Sequence, residues 1–430
     1  MSQSSNFIPN AMSDLPTWLN YLESIHPKTI DLGLNRVQKV GAQLDVLKPA
    51  PFIFTVAGTN GKGTTCRTLE LILLEAGYKV GVYSSPHILN YTERVRINNC
   101  LLPGSSHVQS FNAIETNRGE TALTYFEYST LSALWLFKQA KLDIVILEVG
   151  LGGRLDATNI VDADIAIITT IALDHTDYLG DTRESIGYEK AGILKPNCIT
   201  IVGEPDCPKT IYQVAKEKHV QLHLCKPNPN GDWAYQDNNN GTWNLQTNKK
   251  CYESLPVPNV PLANSATALT ALTYTKFNID KNIIKNALNK TSLTGRFQII
   301  KQNPLTIIDA AHNPHAAIYL NKRIQKIRNE RNLQKIHIVI GMLKDKDIQT
   351  TVKSLNGDVW YCATLYGERG ASSQMIADCI DSSLPNVIYQ FEQVSDAWQK
   401  AINNANPNDI IIGCGSFHTI AEILTVAEDE

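Results

Sequence analysis

The sequence predicts two α/β domains, a large N-terminal doubly wound domain followed by a smaller C-terminal domain. Short apolar runs alternate with stretches of helical periodicity through the first 200 residues, and the alternation restarts after residue 296. The runs are continuously apolar, as in LDIVILEV at 142–149, which is typical of parallel strands covered on both faces. A chain of 430 residues is long enough for two domains of these sizes.

The N-terminal domain is predicted from strands that are each followed by a turn and a helix. Apolar residues at helical spacing indicate its helices, and an asparagine-rich segment with several turn signals indicates an exposed hairpin or meander. The predicted elements are strands at 51–57, 79–84, 142–149 and 164–171, helices at 64–76, 125–140 and 264–275, and the hairpin or meander at 226–250.

The C-terminal domain begins after a Thr/Ser/Gly stretch at 291–295 that predicts a linker. We therefore expect domains at 1–295 and 296–430, the second of them Rossmann-like. Asn313 and Pro314 predict a capped helix start, since proline suits the first helical turn. The predicted elements are strands at 305–309, 336–340, 359–362 and 410–413, and helices at 314–328 and from 416 onward.

Composition narrows the classes of function. The 39 Lys and Arg residues nearly balance 42 Asp and Glu, which argues against a general nucleic-acid binder or a membrane-surface protein. No apolar run approaches the roughly 18 residues of a membrane helix. The nine cysteines form no CxxC pair and the N-terminus is polar, unlike a secretory signal. These features predict reduced thiols and a cytoplasmic location.

The glycine-rich segment GTNGKGT at 58–64 lies between the first predicted strand and the first predicted helix. Glycines let backbone N–H groups turn toward phosphate oxygens at a helix N-terminus, so the domain is predicted to be of P-loop type. Lys62 can neutralise phosphate charge and Thr64 can offer a hydroxyl to Mg²⁺. The spacing departs from the general pattern, because Gly63 separates Lys62 from Thr64. An ordinary glycine-rich turn is the alternative.

Three further predicted strands bring polar side chains to the same edge of the sheet. Ser85, Glu148 and His175 each stand at or just after the carboxyl end of a strand, where ligands bind in doubly wound sheets. Any one of them alone is more often structural, but together they predict a metal site beside the phosphate loop. Lys190 follows shortly afterwards and could pair with phosphate or with a nearby acid.

Five motifs resemble the Mur-ligase superfamily and, within it, the family of bifunctional dihydrofolate synthases/folylpolyglutamate synthases. The resemblance runs from about residue 18 to residue 418, nearly the whole chain. The motifs are AGTNGKGTT at 57–65, ILEVGLGGRLDATNIV at 146–161, LDHTD at 173–177, EKAGI at 189–193 and DAAHNP at 309–314.

The resemblance implies an ATP-dependent ligase of folate biosynthesis and one-carbon metabolism. It would add L-glutamate to 7,8-dihydropteroate and to reduced folates through an acyl phosphate, releasing ADP and phosphate. It would work as a monomer on these small molecules, without nucleic acid or membrane. The alternatives are a folylpolyglutamate synthase only, a Mur-type amino-acid ligase, and an ATP-driven binding switch.

The resemblance also implies a role for each matching residue. Lys62, His312 and Lys190 are assigned to catalysis, with Lys190 as a carbamate near a second metal ion. The implied ATP site comprises Thr59, Asn60, Gly61, Lys62, Gly63, Thr64, Asn264, Arg296 and Asp309. The implied pterin or folate site comprises Ile30, Asp31, Leu32, Thr124, Tyr125, Phe126, Leu155, Asp156 and Ala157. The glutamate site would be formed by His312, Ser416 and His418, and the Mg²⁺ ligands would be Ser85, Glu148 and His175.

Overall fold

The computed structural model describes residues 8–28, 30–228, 230–381, 383 and 386–428. Within these residues the chain divides into two units. The first contains the chain up to Leu173 together with Leu179–Thr291, and the second contains Asp174–Tyr178 together with the chain from Ser292. The division near 291/292 lies four residues before the predicted boundary. The short segment Asp174–Tyr178 belongs to the second unit, where Asp174 forms an ion pair with Lys346.

The first unit contains a mixed sheet and a separate meander. Its described strands are β1 Phe52–Ala57, β2 Val80–Tyr83, β3 Val95–Ile97, β4 Cys100–Leu101, β5 Ile144–Glu148, β6 Ile165–Ile168, β7 Ile199–Val202, β8 Leu222–Leu224, β9 Ala234–Asp237, β10 Thr242–Gln246 and β11 Cys251–Pro256. The main sheet has the order β4-β3-β2-β5-β1-β6-β7-β8. From β2 to β8 every neighbouring pair is parallel, whereas β3 and β4 add antiparallel at one edge.

Helices cover both faces of this sheet, as the continuously apolar strands predicted. Phe54 and Val56 of β1 pack into one core and Ile53 of the same strand into another, because neighbouring side chains of a strand point to opposite faces. The helices up to residue 290 are α1 Leu15–Ser24, α2 Asn35–Gln43, α3 Lys62–Glu75, α4 Gly104–Arg118, α5 Tyr125–Ala140, α6 Thr176–Leu179, α7 Arg183–Ala191, α8 Lys209–Glu217, α9 Leu262–Thr273 and α10 Lys281–Lys290.

The asparagine-rich segment forms the three-stranded antiparallel meander β11-β10-β9. The expected meander is confirmed in type, but it begins at Ala234 and continues to Pro256, beyond the predicted end at residue 250. Trp243 and Leu245 of its middle strand are buried in the core that also contains α3 and α9. This burial anchors the meander to the unit and leaves its asparagine-rich turn at the surface.

The second unit has a six-stranded sheet in the order β12-β13-β17-β14-β15-β16, parallel except for the edge strand β12. Asn313 caps the first long helix and Pro314 lies in its first turn, so the predicted helix start is confirmed. The described elements are β12 Gln298–Gln302, β13 Leu305–Asp309, α11 Pro314–Arg331, β14 Ile336–Ile340, α12 Ile348–Lys353, β15 Val359–Ala363, α13 Ser373–Ala377, β16 Val387–Phe391, α14 Val394–Asn404, β17 Ile410–Cys414 and α15 Phe417–Glu428.

The strands predicted in the first 200 residues are all present, with ends that differ by at most three residues. β6, for instance, ends at Ile168 instead of residue 171, because Thr169 and Thr170 turn to bond the phosphate loop. All nine cysteines are free thiols. None of the helices in the described part of the chain is both long enough and apolar enough to span a membrane.

Candidate active site

The glycine-rich loop connects β1 to α3 and turns sharply at Gly61. Gly61 adopts a φ of +88° and lies at the N-cap position of α3. A β-carbon at Gly61 would come within 2.4 Å of the Asn264 side-chain oxygen. Both the left-handed backbone and this close approach require glycine. The loop is therefore fitted against the first turn of α9, which carries Asn264.

Neutral hydrogen bonds hold the loop against the chain that follows β6. The backbone N–H of Asn60 donates to the Thr170 hydroxyl at 3.0 Å, and the Thr169 hydroxyl donates to the Asn60 carbonyl at 2.6 Å. The Thr59 hydroxyl donates to the Ala172 carbonyl at 3.0 Å and accepts the Ala172 N–H at 3.1 Å. These hydrogen bonds to the loop are therefore made by groups that do not titrate.

Lys62, Thr64 and Asn264 converge on the same loop. The Lys62 ammonium donates to the carbonyls of Gly58 at 2.9 Å and Thr59 at 3.2 Å. The Thr64 hydroxyl donates to the Gly61 carbonyl at 3.1 Å and accepts from the Asn264 amide at 2.7 Å. The structure thus brings together the predicted ATP residues of the first unit, including Gly63 in the first turn of α3.

Glu148 and Ser85 lie together at the carboxyl end of the main sheet. Glu148 ends β5 and is 5% exposed, and its carboxylate accepts the Ser85 N–H at 3.3 Å. Among the described residues, no three His, Cys, Asp or Glu side chains form a ready-made metal site. Mg²⁺ usually binds through one or two carboxylates together with nucleotide phosphates. The hydroxyl and carboxylate present here therefore fit a divalent metal that arrives with a nucleotide.

A buried ion pair supports the segment that carries Ser85. Arg96 of β3 binds the carboxylate of Glu70 at 3.0 Å, and its guanidinium also donates to the hydroxyl of Ser84 at 3.2 Å. Glu70 lies on α3 and is fully buried. A buried carboxylate needs such a partner, so Arg96 joins the phosphate-loop helix to the residue that precedes Ser85. No local sequence pattern predicts this pair.

The predicted pterin segments meet around the start of α5. Thr124 caps this helix in a capping box with Glu127, and Tyr125 and Phe126 form its first turn. Glu127 is joined to Asp31 through Arg36, which bonds both carboxylates. This connection brings the segment around residue 31 to the Thr124–Phe126 segment, although about 90 residues separate them in sequence.

The third predicted pterin segment begins at Leu155 and continues into a short 3₁₀-helix at Ala157–Ile160. The Asp156 carboxylate accepts the Leu151 N–H at 2.9 Å and the Thr158 N–H at 3.0 Å. Burial raises the pKa of Asp156 above its usual range, although these hydrogen bonds act in the opposite direction. Asp156 is thus a buried acid whose oxygens already shape its own turn.

A cluster of charged side chains surrounds Asp174 in the second unit. Its carboxylate lies 2.6 Å from the Lys346 ammonium and 3.5 Å from His312 Nε2, while Lys346 also lies 3.2 Å from His175 Nε2. Burial alone would raise the pKa of Asp174, but the hydrogen bond from His312 and the charges of Lys346 and His175 bring it well below its usual range. Asp174 is therefore a buried carboxylate that stays ionised.

His312 links this cluster to the end of β13. Its Nδ1 lies 2.8 Å from the Ala310 carbonyl, while its Nε2 faces Asp174. A ring protonated on both nitrogens can donate to both oxygens. Asn313, the neighbouring helix cap, donates to Asp174 at 3.4 Å. His312 is thereby held in one orientation by contacts on both sides of its ring.

Asp309 and Arg296, the ATP residues predicted in the second unit, lie near one another. Asp309 accepts the Phe297 N–H at 2.9 Å. Burial raises the pKa of Asp309, although the charge of Arg296 and this hydrogen bond lower it. The Arg296 guanidinium lies 4.8 Å from the centre of the Phe417 ring, a cation–π distance. Both side chains are therefore oriented by contacts within the unit.

The remaining predicted residues have more varied surroundings. The Ser416 hydroxyl is buried and accepts the Thr419 N–H at 3.0 Å, which caps the start of α15, whereas His418 is exposed. Lys190 of α7 is 3% exposed. Of the three predicted metal ligands, Ser85 and Glu148 belong to the first unit, and His175 belongs to the second unit with Asp174.

Sequence reasoning missed the residues that support the site. Asp174 precedes His175 in the LDHTD motif, so its position beside a predicted ligand was an available signal. Lys346 is one of three lysines in the stretch at 344–353, and nothing in that stretch marks it. The roles of Arg36 and Arg96 likewise follow only from their buried acidic partners, Glu127 and Glu70, which the sequence does not reveal.

Two family descriptions match the chain. The Mur ligase middle domain matches residues 56–300, and the Mur ligase glutamate ligase domain matches residues 295–417. The first of these spans more than half of the chain, and the two together extend over most of the described elements.

Individual proteins are similar over nearly the whole length. A protein of Escherichia coli K12 named dihydrofolate synthase/folylpolyglutamate synthase is 54% identical over 428 residues, 98% of this chain and 97% of that protein. The structure of E. coli FolC in complex with DHPP and ADP has a TM-score of 0.93 at 52% identity and covers 98% of this chain and 99% of that chain. A bifunctional folylpolyglutamate synthase/dihydrofolate synthase with Mn, AMPPNP and L-glutamate bound has a TM-score of 0.90 at 52% identity, with 98% of this chain and 99% of that chain covered.

Proposed function

The chain belongs to the Mur ligase family, and from this membership we infer that it is an ATP-dependent ligase that adds L-glutamate to folate-type carboxylates. Its substrates are 7,8-dihydropteroate, which gives dihydrofolate, and reduced folates, which give polyglutamates. The observation that carries this conclusion is the 54% identity over 98% of the chain to the E. coli dihydrofolate synthase/folylpolyglutamate synthase. The phosphate loop around Gly61 provides the nucleotide site that such a ligase needs.

The reaction proceeds by activating a carboxylate and then replacing phosphate with an amine. A carboxylate oxygen of the substrate attacks the γ-phosphorus of ATP, which gives an acyl phosphate and ADP. The α-amine of glutamate then attacks the acyl carbon, the amide bond forms, phosphate leaves, and the amine loses a proton. Catalysis of this kind rests on positioning and charge stabilisation and needs no protein nucleophile.

The phosphate loop supplies the charge stabilisation on the nucleotide side. The backbone N–H groups of 59–64 and the N-terminus of α3 would bind the phosphates. The Lys62 ammonium would leave the carbonyls of Gly58 and Thr59, where it lies at 2.9 and 3.2 Å, and move to the β- and γ-phosphates. Asn264, Arg296 and Asp309 would complete the ATP site.

Ser85, Glu148 and His175 are proposed as the protein ligands of a divalent metal, with Mg²⁺ as the ion in the cell. The ion supplies positive charge to the phosphate oxygens as they accumulate negative charge. The support for this role is the contact between Ser85 and the buried Glu148 carboxylate, since both offer the hard oxygen ligands that Mg²⁺ prefers.

The remaining roles concern the two substrates that are joined. The segments Ile30–Leu32, Thr124–Phe126 and Leu155–Ala157 would bind the pterin, and His312, Ser416 and His418 the incoming glutamate. We also propose that Lys190 reacts with CO₂ to form a carbamate, whose oxygen would help to hold a second metal ion. The protein would act as a monomer in the cytoplasm, where its nine free thiols stay reduced.

A product assay tests the proposed function. Purified protein is incubated with ATP, Mg²⁺ and L-glutamate, and either dihydropteroate or tetrahydrofolate, and products are measured by mass spectrometry. A mass gain of one glutamyl unit with each substrate, together with ADP that appears only when both the carboxylate and glutamate are present, is the expected result. Product from tetrahydrofolate alone would restrict the protein to folylpolyglutamate synthesis, and ADP release without any ligated product would indicate an ATP-driven switch.

A further inference from the structure

The connection between α1 and α2 carries two exposed apolar residues on either side of an acid. Residues 25–28 and 30–34 form neither helix nor strand. Ile30 and Leu32 are each 36% exposed. Asp31 lies between them, and its carboxylate and backbone carbonyl both accept hydrogen bonds from Arg36. Arg36 therefore fixes this irregular connection at Asp31, the residue between the two exposed apolar side chains.

Arg36 reaches a second acid with the other edge of its guanidinium. Its Nε donates to both carboxylate oxygens of Glu127, at 2.8 and 2.9 Å, while the Nη1 and Nη2 groups contact Asp31. The planar guanidinium offers five N–H donors in a fixed geometry, which a lysine ammonium lacks. Arg36 therefore holds the connection and the helix α5 in one relative position.

Glu127 also belongs to the capping box at the start of α5. One of its oxygens accepts the backbone N–H of Thr124 at 2.8 Å, and the Thr124 hydroxyl accepts the Glu127 N–H at 3.3 Å. Glu127 is 4% exposed, so its charge needs a partner close by. Arg36 provides that partner, and through it the conformation of residue 31 depends on the cap of α5.

The other basic contacts of Asp31 are of a different kind. Lys28 lies 3.3 Å from the Asp31 carboxylate, but its side chain is 67% exposed. His26 lies 3.9 Å from the same carboxylate. An exposed ion pair such as that of Lys28 contributes little to conformation, and the His26 contact is longer than any hydrogen bond. Both residues contact Asp31, whereas Arg36 joins Asp31 to Glu127.

We propose that Arg36 is a positioning residue for the pterin-type substrate. By bonding Asp31 and Glu127 together, it holds Ile30 and Leu32 in the conformation in which they contact the substrate ring beside Thr124–Phe126. The proposal rests on the proposed function, since it assumes that these two segments bind dihydropteroate. Arg36 itself touches no reacting atom and acts through the two acids.

The test replaces Arg36 by glutamine and by lysine and compares each variant with Lys28→Gln. The Lys28 variant is the matched control, because it removes an exposed cation that contacts the same Asp31 carboxylate and leaves the link from Arg36 to Glu127 in place. For each protein, KM and kcat are measured separately for dihydropteroate, ATP and glutamate. Binding of dihydropteroate without ATP is measured by calorimetry, and the thermal midpoint is recorded.

Arg36→Gln should raise KM and Kd for dihydropteroate about tenfold or more, because the free connection must be ordered each time the substrate binds. KM for ATP should change less than about twofold, and so should every constant of Lys28→Gln. Arg36→Lys should fall between the two, since it keeps the charge beside Glu127 but loses the two-sided contact. If Arg36→Gln does not fold, Asp31→Asn removes the charge of the Arg36–Asp31 ion pair while the Arg36–Glu127 pair and the bond to the backbone carbonyl of residue 31 stay, and it should weaken dihydropteroate binding in the same direction by a smaller factor.

Several results would overturn the proposal. Unchanged KM and Kd for dihydropteroate in Arg36→Gln would do so, and so would an equal rise of KM for all three substrates together with a lower thermal midpoint, which indicates general destabilisation. A wild-type protein that binds dihydropteroate but makes no product would contradict only the proposed function, and the calorimetric comparison would still decide the role of Arg36. A wild-type protein that binds no dihydropteroate would overturn both.

Discussion

The phosphate loop of the first unit and the Asp174 cluster of the second unit hold their functional groups by opposite means. In the loop, Asn60 and Thr59 bond to hydroxyls and carbonyls, and even the Lys62 ammonium bonds to backbone carbonyls. In the cluster, the Asp174 carboxylate contacts Lys346, His312 and His175, whose side chains carry or can carry charge, and it also accepts the backbone N–H of His175.

This difference has consequences for how each region responds to change. Neutral hydrogen bonds keep their strength over a wide range of pH, so the loop can be ready for phosphate before the nucleotide arrives. A buried ionic cluster depends on the charge of each member, and removing one member leaves the others buried without a counter-charge. We therefore expect variants of the loop to lose activity while keeping their fold, and variants of the cluster to lose stability as well.

The largest effect is expected from Lys62→Ala. The variant lacks the cation that would neutralise the β- and γ-phosphates, and loss of one such electrostatic group typically costs about 10²–10³ in kcat. Its fold should persist, because the loop keeps its hydrogen bonds to Thr169, Thr170 and Ala172 when the two charge-assisted bonds from Lys62, each worth about 1.5–3 kcal/mol, are lost. Steady-state kinetics and a thermal unfolding curve measure the two quantities.

Lys138→Ala is the control for Lys62→Ala. Lys138 forms an ion pair with the exposed Asp45 at 3.1 Å, and surface pairs of this kind are worth about 0–1 kcal/mol. Its activity should equal that of the wild type. Wild-type turnover by Lys62→Ala would show that the loop does not bind the reacting phosphates.

The second effect concerns the acid beside the loop. Glu148→Gln keeps the size of the side chain but removes the negative charge that would hold the divalent metal, so we expect about a 10²-fold loss of kcat. The metal concentration needed for half-maximal activity should rise as well. Direct Mn²⁺ binding, measured in the presence of a non-hydrolysable ATP analogue, provides a readout apart from activity. A Glu253→Gln variant, altered on the exposed meander, should bind Mn²⁺ as the wild type does.

The two regions also differ in how much of them the sequence reveals. The phosphate loop could be predicted because strand, glycine-rich turn and helix follow one another within 25 residues, and each leaves a local pattern. Glu148 could be predicted for the same reason, since it ends an apolar strand. The contact between Asp174 and Lys346 could not be predicted, because Lys346 lies 172 residues beyond Asp174 and nothing in its local sequence distinguishes it from a surface lysine.

Arg36 and Asn264 show the same limit. Arg36 meets Glu127 across 91 residues and Asn264 meets Thr64 across 200, so neither contact follows from a local pattern. The resemblance to a family could assign Asn264 to the ATP site but could not show that its amide is packed against Gly61. Sequence patterns therefore predicted the functional side chains at the ends of strands. The side chains that orient them could be identified only from the tertiary structure.

The third effect is expected from Asp174→Asn, which tests the ionic character of the cluster. The variant leaves the Lys346 ammonium, 6% exposed, without its anionic partner. We expect the free energy of unfolding to fall by about 3 kcal/mol at pH 7, the usual cost of breaking a buried pair. Asp345→Asn in the same unit is the control, because its Arg369 partner is 57% exposed and the loss should be under about 1 kcal/mol.

The pH dependence of the Asp174 variant has a definite sign. The folded-state pKa of Asp174 is well below its usual range, and an unfolded aspartate titrates near about 3.9. The stabilisation is therefore complete above about pH 4 and is lost as the pH falls through the folded value. Urea unfolding should give a gap between wild type and Asp174→Asn that is still present at pH 5 and shrinks below about pH 4. A gap that stays constant in acid would mean that the cluster is not held by charge.

The smallest effect isolates the packing of the phosphate loop. Gly61 and Gly77 share a φ of +88°, but a β-carbon at Gly77 would meet no atom within 4 Å, whereas one at Gly61 would meet Asn264. Alanine at either position strains the backbone by about 1–2 kcal/mol. The excess loss of stability in Gly61→Ala over Gly77→Ala therefore measures the contact with Asn264. We expect it to be about 1–2 kcal/mol, because Asn264 must turn away and lose its bond to Thr64.

A double-mutant cycle decides whether Asn264 is the cause. If the excess comes from this contact, Gly61→Ala in an Asn264→Ala background should cost no more than Gly77→Ala does, since the obstructing side chain is absent. KM for ATP should rise in Gly61→Ala and stay unchanged in Gly77→Ala. An excess that persists in the Asn264→Ala background would place the strain in the backbone of the loop itself. The loop would then owe its shape to the threonines that follow β6 more than to its fit against α9.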